Sequence, residues 1–195
     1  MNADALIHKI ATRALKRYRG RRGFTIIELM VVVAIVGILV AFAAPSFNRL
    51  IQANRVSGEI NSLVGDLQYA RAAAIQQGLQ VSVCASSNGS TCQTSGAWQV
   101  GWIVFSDLDG SGTVNTSAGD VILRVRKAWT SGDTFVASGS LSAVTYNREG
   151  YAAIPGGSVT LTLHTTPGNN QATRCVTINP VGRQTVQTYG VGSCT

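Results

Sequence analysis

Residues Phe24 to Ala44 constrain this chain more than any others. Phe24-Thr25-Ile26-Ile27-Glu28-Leu29 leads into Met30 to Ala44, where every residue is apolar or Gly37. As a helix rising ~1.5 Å per residue the segment is roughly 32 Å long, about the thickness of a bilayer's hydrocarbon core, so it can cross a membrane. Lys9, Arg13, Lys16, Arg17, Arg19, Arg21 and Arg22 precede it, against one acid, Asp4. That cationic flank predicts an N-terminus on the cytoplasmic side and a C-terminal body beyond the membrane.

The same partition changes the meaning of the net charge. A formal +7 suggests a polyanion binder if the cations are spread evenly. They are not: residues 1–23 carry +6 and residues 24–195 carry +1. Charged residues make up 13% of the chain, well under the usual ~25%, and with plentiful Gly, Ser and Thr this suits an extracytoplasmic, β-rich body. An apolar content of 45% excludes a disordered or collagen-like chain, and 195 residues suffice for one ordinary domain with an appendage.

Three kinds of targeting segment compete for residues 1–44. A secretory signal has an apolar run of roughly 7 to 15 residues closed by a small-residue cleavage site, and Ala43-Ala44-Pro45 suits neither demand. A mitochondrial presequence accounts for the Arg-rich, nearly acid-free residues 5–22 and leaves the long apolar run unexplained. The third reading rests on Glu28, whose ionised carboxylate inside a span costs a few kcal/mol unless paired. Cutting after Gly23 would place a new α-amino group at Phe24, one helical turn from Glu28, in the same chain or a neighbour.

Gly23-Phe24-Thr25-Ile26-Ile27-Glu28-Leu29 followed by an apolar helix resembles the prepilin (class III) signal of type IV pilins and type II secretion pseudopilins. The resemblance implies cleavage between Gly23 and Phe24 by a prepilin peptidase, N-methylation of Phe24, and a role for Glu28 in attracting a neighbouring subunit's amine during assembly. The leader of 23 residues is long for this family.

Beyond Pro45, which would bend a helix without ending it, Phe47, Leu50, Ile51, Ile60, Leu63, Val64, Leu67, Ala70 and Ala74 recur at helical spacing. One long helix is therefore predicted from about Phe24 to about Gln77, ending near Gly78, with Gly58 and Gly65 as points of local looseness. Period-two patterning follows, with strands predicted at 79–84, 100–105, 121–129, 141–147, 158–164, 174–178 and 184–189. The class is α+β, a helix laid across antiparallel sheet.

The body resembles FimT/GspH-type minor pilins and pseudopilins. The resemblance is carried in order by Leu67-Gln68-Tyr69-Ala70-Arg71, Gly101-Trp102-Ile103-Val104-Phe105, Gly119-Asp120-Val121-Ile122-Leu123-Arg124, Asn147-Arg148-Glu149-Gly150, Cys175-Val176-Thr177-Ile178-Asn179 and Gly182-Arg183. It implies a type IV pilin-like fold, a long N-terminal helix against two small sheets, and three segments: a cleaved leader (1–23), a transmembrane or filament-core helix (24–45) and a periplasmic body (46–195). The implied partners are other pilins or pseudopilins, a prepilin peptidase and the bacterial inner membrane, with DNA as a further partner.

Little else points to chemistry. His8 lies in the leader and His164 on the polar face of a Thr-rich strand, no hydrolase or nucleotide motif occurs, and neither enzyme activity nor a cofactor is expected. Cys84, Cys92, Cys175 and Cys194 show no C-x-x-C spacing. In an oxidising compartment they are expected to form disulfides, for which three connectivities are open and Cys84–Cys92 with Cys175–Cys194 is the simplest. Asp107-Leu108-Asp109-Gly110-Ser111-Gly112 resembles the start of a calcium loop, but Ala118 stands where a bidentate Glu belongs, so no metal is expected. Some FimT-like pilins bind DNA through Gly-Arg-x-Arg. Here Gly182-Arg183-Gln184-Thr185 keeps only the first arginine. Arg183, Arg174, Arg148, Arg124, Arg126 and Lys127 are the residues from which a basic cluster would have to be built.

Overall fold

The computed structural model describes residues 23–129 and 131–195, so the basic leader lies outside the described residues save Gly23. One helix, α1 (Ile26–Gln77), opens the chain and runs through Pro45 without a break. Packing divides the chain at Pro45/Ser46 into two units. In the first, every large side chain from Phe24 to Phe42 is exposed, as the composition of that segment demands.

In the second unit α1 buries a stripe, Val56, Ile60, Leu63, Leu67, Ala70 and Ala74, at steps of three and four residues. The expected stripe begins too early: Phe47, Leu50 and Ile51 are 63%, 56% and 47% exposed, so apolar burial against the body starts only at Val56, after the polar contact of Gln52 with Asn169. Gly78 ends the helix in the left-handed conformation (φ 66°), its N–H donating to the Ala74 carbonyl at 3.0 Å.

Among the described residues nine strands follow: β1 (Val81–Ala85), β2 (Gly101–Ser106), β3 (Val121–Lys127), β4 (Thr134–Ala137), β5 (Ala143–Tyr146), β6 (Ala152–Ala153), β7 (Val159–His164), β8 (Arg174–Ile178) and β9 (Gln184–Thr188). They form two antiparallel sheets, ordered β3-β2-β1-β5-β6 and β4-β7-β8-β9. The helix stripe shares one apolar core with the inner faces of both: Val83, Trp102, Val104, Val144 and Tyr146 from the first, Phe135, Leu161, Leu163 and Val176 from the second. The outer face of the five-stranded sheet is covered as well, with Cys84, Ile103 and Phe105 packed against Cys92, Val114 and Ile122. That double cover explains why β1 and β2 are buried at every position and lack polar alternation.

Two strands escape the period-two reading. β6 is two residues long, and β4 alternates over only four, too short to stand out beside Asp133 and Ser138-Gly139. The expected strand at 121–129 stops at Lys127, because Trp129 leaves the ladder to stack on Phe135 (5.2 Å) and meet Trp102 edge-on (5.8 Å).

Candidate assembly interface

At the start of α1, Thr25 is the helix cap: its Oγ1 accepts the backbone N–H of Glu28 at 3.2 Å. Thr25-x-x-Glu28 has the spacing of a capping box, a signal that the charge argument about Glu28 passes over. Phe24, Ile26, Ile27, Leu29 and Met30 around it are between 61% and 81% exposed. The arrangement offers an apolar rod with one exposed carboxylate near its tip, at the helix end where a negative charge is favoured. A cut after Gly23 would leave an amine immediately before the cap. Such a rod can bury its surface in lipid or against identical rods.

The body is tied to α1 by polar contacts that sequence reasoning did not single out. Asp66 is nearly buried; its Oδ2 accepts the Trp102 indole N–H at 2.9 Å, and its oxygens take Arg124 and Arg126, each at 3.1 Å. Arg124 also lies over the Tyr69 ring, 3.5 Å from its centre. About three turns toward the N-terminus, Arg55 makes a two-point contact with buried Asp133 (2.7 and 2.8 Å), whose Oδ1 also accepts the Thr166 N–H. Between them Glu59 accepts from the Ser131 hydroxyl at 3.2 Å, while its Oε2 has no hydrogen-bond partner among the described residues. Burial pushes the Glu59 carboxyl above its ordinary pKa. Asp66 does carry a signal: it falls three residues after Leu63 and four before Ala70, an acid on the buried stripe.

These contacts also show where the structure puts the six basic candidates. Arg124 and Arg126 stand opposite Val104 and Trp102 across the β2–β3 ladder, on the inner face, and are spent on Asp66. Lys127 ends the same strand, at one edge of the five-stranded sheet. Arg174 opens β8 in the other sheet and donates to the Gln171 and Thr173 carbonyls. Arg148 pairs with Glu149 at 2.8 Å in the β5–β6 turn, and Arg183 lies in the β8–β9 turn. Strand alternation thus takes Arg124 and Arg126 out of any exposed cluster, and Lys127 and Arg174 belong to different sheets.

Asp107, Asp109 and Asp120 bring carboxylate oxygens within 4.8 Å of one another. The protein itself supplies their donors. Asp107 takes the Ser82 hydroxyl and the Ser111 and Gly112 N–H groups, Asp109 takes Ser111 N–H and Asn115 Nδ2, and Asp120 takes Leu108 and Asn115 N–H. Hydrogen bonding from the Ser111 side chain, and next from the Asn115 side chain, holds the Asp109 carboxyl below its ordinary pKa. The loop is closed by its own backbone. Cys84 is joined to Cys92 and Cys175 to Cys194; the second bond pins the C-terminal turn against β8. His164 is exposed at the end of β7, opposite Thr134.

Comparison with known proteins gives two family matches. Residues 59–182 match the family described as type II transport protein GspH, and residues 18–44 match the prokaryotic N-terminal methylation motif. Among characterised proteins, the type IV major fimbrial protein FimA of Dichelobacter nodosus (strain VCS1703A) is 36% identical over 95 residues, 49% of this chain and 56% of that protein. A fimbrial protein of Pseudomonas aeruginosa is 33% identical over 94 residues, 48% and 56% respectively. The chain thus aligns with little more than half the length of these relatives. Among solved structures, the type IV minor pilin FimU of Pseudomonas aeruginosa (strain PAO1) superposes with a TM-score of 0.55, covering 69% of this chain and 89% of that one at 21% identity. At that identity the likeness concerns the fold.

Proposed function

The chain belongs to the GspH family and carries the prokaryotic N-terminal methylation motif, and from that premise we propose that it is a minor pilin, processed between Gly23 and Phe24 and built into a type IV pilus through α1. As a member of the type IV pilin and pseudopilin group it is a structural, non-enzymatic subunit. The observation that carries the finer reading is the exposed apolar rod from Phe24 to Phe42 with Glu28 at its tip. In water each such side chain costs about 1.5–3 kcal/mol relative to burial, so the segment needs lipid before assembly and neighbouring rods after it. The cationic leader supports a single pass through the bacterial inner membrane with the body in the periplasm. Within a bundle of rods, Glu28 has a partner in the α-amino group of an adjacent Phe24.

The similarity to fimbrial proteins of Dichelobacter nodosus and Pseudomonas aeruginosa favours a pilus. The description of the GspH family favours the alternative, an H-type pseudopilin of type II secretion. Neighbouring pilus or secretion genes separate the two. A third reading, a DNA receptor in natural transformation, loses support because Arg124 and Arg126 are paired with Asp66 and Arg148 with Glu149. The test of assembly is Glu28→Ala in the native cell: processing and membrane insertion are expected to persist while incorporation into sheared filaments falls. Normal incorporation would refute the pairing role.

A further inference from the structure

Where α1 ends, the β5–β6 and β8–β9 turns approach each other closely and pack on the Arg71 and Ile75 side chains. Arg71 donates from both terminal nitrogens to the β8–β9 turn, to Gly182 O at 3.3 Å and Val181 O at 3.0 Å. Ala152 N–H donates to Pro180 O at 2.8 Å, tying that turn to β6. Gly150 (φ 82°) and Gly182 (φ 77°) permit the approach: a Cβ on Gly182 would lie 2.3 Å from Gly150 O, and one on Gly150 would lie 2.8 Å from Ile75 Cδ1. The junction is thus fixed by its own backbone.

Its outer surface is left open. Ile75, Tyr151 and Val181 are 53%, 54% and 52% exposed, although Val56, Ile60, Leu63 and Leu67 on the same helix are buried. Arg148 and Arg183 lie in the same two turns and Arg71 reaches the second of them, with Glu149 the sole acid among these residues. A body of charge near +1 therefore concentrates a local excess of two cations around an apolar centre.

We propose that this junction is a docking patch for a neighbouring subunit that presents carboxylates around an apolar side chain. The inference rests on the pilin reading above and adds a contact away from the N-terminal rod. A fixed backbone, a half-exposed Tyr and a rim of Arg are what protein interfaces favour, and the sign of the rim selects an acidic partner. Nucleic acid fits less well. Arg71 is committed to carbonyls and Arg148 to Glu149, which leaves Arg183 as the one guanidinium of the three without a hydrogen bond among the described residues, too few contacts for a phosphate backbone.

The test places photo-crosslinking p-benzoylphenylalanine at Tyr151 of the full chain in the native cell, with the same replacement at exposed Val121 of β3 as control. The expected product is an adduct between position 151 and a pilin-type subunit, mapped to a peptide carrying Asp or Glu. Its yield should fall at least about fivefold in the double variant Arg148→Glu/Arg183→Glu and recover when the contacting carboxylate is changed to Arg. No adduct at position 151, an adduct to nucleic acid, or a yield indifferent to charge reversal overturns the patch. The intact mass of the same sample keeps the two ideas apart. A chain starting at methylated Phe24 with no adduct defeats the patch alone, whereas a chain retaining residues 1–23 defeats the pilin reading and the partner inferred from it.

Discussion

Asp66, on the buried stripe of α1, holds Arg126 of the edge strand through two guanidinium nitrogens, Nε at 3.2 Å and Nη2 at 3.1 Å from Oδ2. The same carboxylate binds Arg124 and the Trp102 indole, so one helix residue fixes two neighbouring strands. Asp66→Asn keeps the shape and removes the charge. Because both arginines are nearly half exposed, water offsets part of their loss, and the expected cost is about 2–3 kcal/mol, below the full price of breaking a buried pair. Tryptophan fluorescence of the detergent-solubilised chain in urea measures it; an unchanged midpoint would show that the contact does not hold β3.

How much of this was legible beforehand depends on range. β8 was predicted at its observed bounds and the helix end at Gly78 within a residue, because alternation and a left-handed glycine are local signals. The exposed rod and Glu28 were legible for the same reason. The destination of Arg124 and Arg126 was not, since a strand's two faces look alike until its neighbour is known; pairing with Trp102 and Val104 made theirs the inner face. Phe47, Leu50 and Ile51 repeat at helical spacing yet remain exposed, because periodicity marks an apolar face without saying what covers it.

Gly58 and Gly65 lie on the exposed side of α1, and a Cβ at either would meet nothing within 4 Å. Gly65→Ala should stabilise the isolated subunit by up to about 1 kcal/mol through helix propensity. Thermal unfolding of the two proteins side by side checks this, and a loss of stability would mean that the glycine serves a contact within the subunit.

The two disulfides close loops of different length, with sequence separations of 8 and 19. In the chain-entropy account, replacing Cys175 and Cys194 by Ser costs about 3 kcal/mol and replacing Cys84 and Cys92 about 2.5 kcal/mol. Urea titration under oxidising conditions orders the two variants. The first should also free the C-terminal turn, visible as faster amide exchange at positions 191 and 194, whose N–H groups are bonded in that turn.

Glu59 links stability to pH. Its carboxyl ionises less readily folded than unfolded, chiefly through burial, so its protonated form favours the fold. That contribution is complete below about pH 4.5 and is lost as pH rises through the raised folded value. Glu59→Gln keeps an acceptor for Ser131 and removes the titration. The variant is expected to melt higher than the parent near pH 7 and to match it near pH 4; a variant less stable at pH 7 would show that the charge is needed there.

The pilin reading depends most directly on the chain's mature N-terminus. Intact-mass and N-terminal peptide spectrometry of the protein from a cell containing prepilin peptidase should show a chain beginning at Phe24 with one added methyl group. A chain still carrying Met1 to Gly23 in that cell would contradict it.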